Sequence, residues 1–283
     1  MKTAILFLLL AAPCAVAAQA PPNTLEADLA RAKADYDRDP SSADAAIWLG
    51  RRLAYLGRFA EAIDIFTQGI LKHPGDARLY RHRGHRYITT RRFDLATEDL
   101  KKASQLIAGK ADEIEPDGAP NKAGIPRSTL QSNIWYHLGL AQYLSGDFAS
   151  AVASYREGMK VSRVNDDMLV ATSDWLYMTL RRLKRDAEAR QVLEPIREQM
   201  DVIENGAYHA RLLMYKGLRT PESVLNLNTA DDIQIATQGY GVGNWYYVTG
   251  NRDKAREIFQ KVVAGPQWSA FGYIAAEADL QRR

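Results

Sequence analysis

The chain of 283 residues contains a single cysteine, Cys14, close to its amino terminus. That scarcity excludes a disulfide framework and thiolate metal sites from the rest of the chain. Charge of one sign is lacking as well. Lys and Arg total 37 against 34 Asp and Glu, a net +3, so the strongly basic excess of a dedicated nucleic-acid binder is missing. Beyond the first twenty residues no apolar run is long enough to span a bilayer. Also absent are H-E-x-x-H, the Walker loop, zinc-ligand spacings and a Ser-His-Asp order, so no catalytic motif, cofactor or metal site is expected.

The amino terminus has the make-up of an export signal. Lys2 supplies a positive start, Ala4 to Ala12 an apolar stretch, and Val16 and Ala18 a small-x-small cleavage site before Gln19. Residues 1–18 are therefore expected to be removed, with the mature protein periplasmic or secreted. Ala11-Ala12-Pro13 ahead of Cys14 does not match a lipoprotein signal.

The mature chain repeats itself. Gly50, Gly57, Phe59, Ala62, Phe66 and Gly69 return 34 residues later as Gly84, Arg91, Phe93, Ala96, Leu100 and Ala103. The frame recurs as Trp135, Leu138, Gly139, Gly146, Phe148, Ala151, Tyr155 and Gly158, and again as Gly243, Gly250, Ala255, Phe259 and Val262. Each window reads as two amphipathic helices joined by a tight turn. Small residues at fixed places allow close helix contact, and such hairpins must stack to bury their apolar faces.

Leu49, Gly50, Ala62, Phe66, Gly69 and Pro74, followed by Tyr80, Gly84, Tyr87, Ala96 and Ala103, carry a pattern that resembles the tetratricopeptide repeat family. The resemblance implies an all-α fold, a right-handed superhelical solenoid of antiparallel helix pairs. Repeats are expected at 43–76, 77–110, 132–165, 170–203 (degenerate) and 236–269. An entry helix over 24–38, capped by Asn23 or Thr24, precedes them within an amino-terminal segment of 19–42. A shortened helical pair is expected between 203 and 235, and a capping helix over 268–281. Residues 111–131 interrupt the period with three prolines, two glycines and an acidic run, so they form a loop rather than helix. That insertion is either a plain surface loop or one that covers the functional surface.

In this family the first helix of each repeat lines the concave face. The stretch "RLYRHRGHRYITTRRF", residues 78–93, places Arg78, Arg81, His82, His85 and Arg86 on one broad helical face, opposite the packing residues Tyr80, Gly84 and Tyr87. Arg83 stands where a leucine is commoner, its guanidinium expected to point outward. With the neighbouring first helices, the expected groove comprises Arg51, Tyr55, Arg78, Arg81, His85, Tyr136 and Tyr143, with Asp174, Met178, Arg181 and Arg182 as candidates further on. Arginine forks pair with carboxylates and tyrosines add rigid contact area. A protein or peptide partner, acidic or ending in a free carboxylate, fits such a groove. The Lys and Asn pairs with which peptide-binding members of the family clamp a terminal carboxylate are absent here. The same charges also suit a solvated helix face, neutralised by Asp94, Glu98 and Asp99. His82, His85 and His137 do not amount to a metal site, because flanking arginines repel a dication.

Two alternatives accompany the adaptor reading. "QGYGVGNWYY", from Gln238, has Gly-x-Gly-x-Gly spacing with no preceding strand pattern, so it is not a phosphate loop. A small-molecule or enzymatic pocket near that helix and His209 is one alternative, and a structural module contacted through its convex face is the other. Asp166-Asp167 and Asp231-Asp232 stand at helix starts, where carboxylates favour the positive end of the helix dipole.

Overall fold

The computed structural model describes residues 22–282. The expected export signal, Cys14 included, lies outside the described residues. Among them all regular structure is helical, apart from one isolated antiparallel bridge between Ile114 and Thr129. Among the described residues no helix is long and apolar enough to cross a membrane.

Successive hairpins build an all-α solenoid. α1 (Pro22–Arg38) leads into α2 (Ala43–Tyr55) and α3 (Phe59–Lys72), then α4 (Ala77–Thr89) and α5 (Phe93–Leu106). After the insertion come α6 (Leu130–Ser145) and α7 (Phe148–Val161), then α8 (Asp166–Arg182) and a short α9 (Asp186–Val192). α10 (Gly206–Tyr215) and α11 (Pro221–Val224) occupy the stretch where the period fails. α12 (Asp232–Val248) and α13 (Arg252–Ala264) make the last pair, and α14 (Phe271–Gln281) follows. Asn23 and Thr24 fall inside α1 rather than capping it.

The fixed glycines set the helix spacing. A β-carbon on Gly50 would lie 2.4 Å from the Phe66 ring, on Gly84 2.8 Å from Leu100, on Gly139 2.6 Å from Tyr155 and on Gly243 2.6 Å from Phe259. Each repeat thus seats one large side chain of its second helix against bare backbone of its first. The hairpin turns share a left-handed residue: Gly57, Gly146 and Gly250, but Arg91 (φ 60°) and Lys184 (φ 58°) in the other two. A non-glycine residue there carries a steric cost of roughly 1 kcal/mol. For Arg91 it is offset by an ion pair to Glu277 (2.7 Å) and a hydrogen bond to the Trp268 carbonyl (2.7 Å).

Those two contacts belong to a larger closure. α14 packs on α12 and α13 and also reaches back to α6. Its Phe271 meets the rings of His85 (5.2 Å) and His137 (5.7 Å). Asp279 pairs with Arg182 of α8 and accepts a hydrogen bond from the Tyr240 hydroxyl (2.8 Å). Arg282 donates to the carbonyls of Tyr143 and Leu144 at the end of α6. The capping helix therefore covers more than the last repeat; it crosses the inner helices of the middle of the array.

The carboxylates at helix starts also do more than favour a dipole. Asp167, fully buried, accepts backbone N–H bonds from Ile203, Glu204 and Asn205 at 2.8–3.1 Å, tying the loop after α9 to the start of α8. Asp231 caps α12 in a reciprocal box with Gln234.

Candidate functional site

The basic stretch splits in two once folded. Arg78 turns to the solvent edge, where Asp76 (2.6 Å) and Asp44 (2.7 Å) neutralise it; it does not join the groove cluster. Arg83 does not point outward: its guanidinium grips both oxygens of Asp99 at 2.7 Å and donates to Thr67 (3.0 Å). Arg81 and Arg86 instead turn inward and meet Arg51 of α2. Together with Tyr55, Phe66, His82, His85 and Glu115 they line a cavity of about 130 Å³.

Three guanidiniums thus line one cavity, and only Arg81 meets the carboxylate in its wall. Arg81, 8% exposed, has Nε 3.1 Å from Glu115, though out of line for a hydrogen bond, while its Nη1 donates to His82 Nδ1 (2.9 Å). Arg51 lies over the Trp48 ring (4.6 Å) and donates to the carbonyl of Pro116 (2.9 Å). Arg86 sits 5.7 Å from the Phe59 ring centre and, among the described residues, has no carboxylate or side-chain hydrogen-bond partner. Burial, with Arg81 and Arg51 close by, pulls Arg86 down to about 9, which leaves it cationic at neutral pH.

The histidines around the cavity are neutral. Burial first, then the neighbouring arginines, push His82, His85 and His137 well below the usual imidazole range. Since Arg81 donates to His82 Nδ1, His82 carries its proton on Nε2, 3.6 Å from Glu115. His137 donates from Nδ1 to the Asn133 carbonyl (2.6 Å), and its ring lies 4.5 Å from that of His85. No group of three His, Cys, Asp or Glu side chains among the described residues is placed to hold a metal ion.

A pH dependence follows. Each imidazole has a folded value below its unfolded value near 6.5, so the unfolded chain binds the proton first as pH falls. Stability is full above about pH 6.5 and declines below it, by up to ~1.4 kcal/mol per pH unit for each of the three. Asp99, Asp117 and Asp174, raised by burial, act in the opposite sense but only in the carboxylate range. Urea midpoints at about pH 7, 6 and 5 are expected to fall steadily, and His85→Gln is expected to flatten the slope. A level profile would contradict the burial described.

The remaining expected groove residues are placed differently. Tyr55 stays partly exposed at the cavity rim, 37% accessible. Tyr136 accepts a hydrogen bond from Trp175 Nε1 (2.8 Å) and bonds the Tyr208 hydroxyl (2.7 Å), so it is an internal relay. Tyr143 is not a groove residue: it is fully buried, with its hydroxyl on Tyr240 (2.6 Å), because α12 and α14 fold over the inner face of α6. Asp174 and Met178 are likewise fully buried, and Arg182 is almost so. Arg181 pairs with Asp186 (2.9 Å). Arg52, Arg86 and Glu115 were missing from the expected contact set. Arg52 neighbours Arg51, Arg86 shares the basic face of α4, and Glu115 stands in the acidic run of the insertion, so charge complementarity was the available signal.

A second cavity, about 220 Å³, lies beside the glycine-rich helix between Trp175, Tyr208, Arg211, Tyr240, Gly241 and Phe271. Gly241 is bare because a β-carbon there would meet Arg211 Cδ at 2.0 Å. His209 is not in it; its Nε2 contacts the Arg197 carbonyl (2.6 Å).

Stacked helix pairs with an inner face that gathers charge define the class as an α-solenoid of helical repeats. Residues 132–165 match the tetratricopeptide repeat family. No curated protein matches the sequence. Among solved structures, Cut9 in its complex with Hcn1 from the APC/C is similar at 15% identity and a TM-score of 0.51, over 89% of this chain and 40% of that one. PilF of Pseudomonas aeruginosa is similar at 16% identity and 0.49, over 91% and 90%. YrrB, described as a TPR protein with an unusual peptide-binding site, is similar at 15% and 0.46, over 88% and 97%.

Proposed function

We propose that the chain is a binding module rather than an enzyme, and that its inner basic face recognises an acidic, extended polypeptide segment. The observation that carries this reading is the convergence of Arg51, Arg81 and Arg86 on a cavity that holds one carboxylate, with Arg86 unpaired. Buried like charges raise one another's energy, and a buried charge without a partner is costly, so an entering carboxylate is stabilised. The Lys2 and Ala4–Ala12 pattern supports action after export, in the periplasm or outside the cell.

Arg86→Met tests the reading because it removes the charge and orphans no partner. The variant is expected to fold with unchanged or higher stability and to lose at least about tenfold in affinity for a labelled Glu-rich peptide, read by fluorescence anisotropy. Undiminished binding would overturn it.

The 220 Å³ cavity favours a second reading, a small aromatic ligand seated against the stacked Trp175 and Tyr240 rings. Arg211 in its wall is already paired with Asp174 behind it. Ligand-dependent Trp175 fluorescence that Arg86→Met leaves unchanged would mark that site instead.

A further inference from the structure

The insertion is built as a strap. Its base is pinned where Glu115 N–H donates to the Ser128 carbonyl (3.0 Å) and Leu130 N–H to the Glu113 carbonyl (2.9 Å). Between these points the chain leaves the array edge and crosses the inner face. Arg51 and Arg52 each donate to it at 2.9 Å, reaching the carbonyls of Pro116 and Gly118. Further along, Asn121 bonds Glu204 (2.5 Å) and Arg127 pairs with Asp201 (2.6 Å), so the strap runs from α2 to the loop before α10. Ile114 and Ile125 are exposed, so these apolar side chains do not anchor it in a core.

Only the acidic turn of the strap enters the cavity wall. Glu115 is buried against Arg81, with Asn133 donating to the same carboxylate oxygen (3.0 Å). Gly118 fits because it lacks a side chain: a β-carbon would lie 1.8 Å from the Tyr55 hydroxyl and 2.6 Å from Arg51 Nη2. Pro116 and Pro120 keep the stretch out of a helix. The arginines therefore read one carboxylate and the carbonyls that follow it on an extended chain. We infer that Glu115–Gly118 is an intramolecular stand-in for the partner, and that an acidic extended segment of the partner polypeptide takes the same path by displacing it.

This inference rests on the acidic-segment reading of the groove and adds the partner's form and the step that admits it. The strap fits imperfectly. Arg81 Nε and Asp117 Oδ2 are buried without hydrogen-bond partners, and Arg86 gains nothing from it. Buried polar groups are almost always satisfied, so an occupant that supplies these missing bonds competes well. The tether gives the strap a high effective concentration, which a partner has to overcome and which loosening the strap removes.

The test uses the full chain and a labelled nine-residue peptide of the strap itself, Asp112–Pro120. Two variants loosen the strap by different means: Glu115→Gln with Asp117→Asn, and Gly118→Val. A nine-residue peptide of alternating Glu and Ser serves as the second probe. The strap peptide is expected to bind both variants at least about tenfold more tightly than wild type, and Arg81→Met, which removes the guanidinium that faces Glu115, is expected to abolish the gain when added to either. Equal binding of the strap peptide to wild type and both variants, or no binding, overturns the inference. If the alternating peptide then still binds in an Arg86-dependent way, the groove reading stands and only the stand-in falls. If neither peptide binds any of the proteins, both fall.

Discussion

Asp174→Ala is expected to destabilise the protein by about 3–5 kcal/mol, the cost of leaving a buried guanidinium alone. Asp174 lies on α8, fully buried, and accepts from Arg211 Nε (3.1 Å) and Nη2 (2.8 Å). Arg211 comes from α10, passes beneath the bare backbone at Gly241 and donates again to the Thr237 carbonyl. One ion pair thus ties α8, α10 and α12 together where the repeat period lapses. Removing the carboxylate strands the charge of a guanidinium whose residue is only 4% exposed. Replacing both partners, Asp174→Leu with Arg211→Met, is expected to recover most of the loss, because no buried charge remains. Urea unfolding followed by circular dichroism reads both. A loss below about 1 kcal/mol for Asp174→Ala would show that the pair is not buried as described.

Asp279→Ala is expected to cost about 3 kcal/mol or more and to release α14. Its side chain is buried and holds Arg182, Arg282 and the Tyr240 hydroxyl together. Without it, Arg182 keeps the Asn244 side-chain oxygen (2.6 Å) and the Tyr247 ring (3.9 Å) but no carboxylate. Releasing α14 withdraws Phe271 from His85 and His137 and uncovers the inner helices. Amide exchange over residues 271–281 is expected to accelerate while α2 to α5 stay protected. Unchanged protection in α14 would contradict the closure.

The contrast between these elements shows what the sequence could convey. Hairpin phase was legible because it depends on pairs within one repeat, such as Gly50 with Phe66 or Gly139 with Tyr155. The glycine-rich helix was legible too, as close approach rather than a phosphate loop. Arg83 with Asp99 lies within one hairpin, and Arg78 with Asp44 one repeat apart, so their neutralisation was within reach of the same periodicity. Tyr143 was not, since its burial depends on α12 and α14 returning from about a hundred residues away. The same holds for Arg51 and Arg81, whose carbonyl and carboxylate partners arrive only when the insertion folds back. A repeat frame says which face a residue takes; it does not say what later covers that face.

The central claim is that the inner basic face, and no other, takes an acidic segment. Arginine Nε–H NMR signals followed during titration with a Glu-rich peptide test it most directly. Arg51, Arg52, Arg81 and Arg86 are expected to shift together and saturate at one concentration. Shifts confined to arginines of the outer helices, such as Arg156 and Arg256, or none at all, would contradict it.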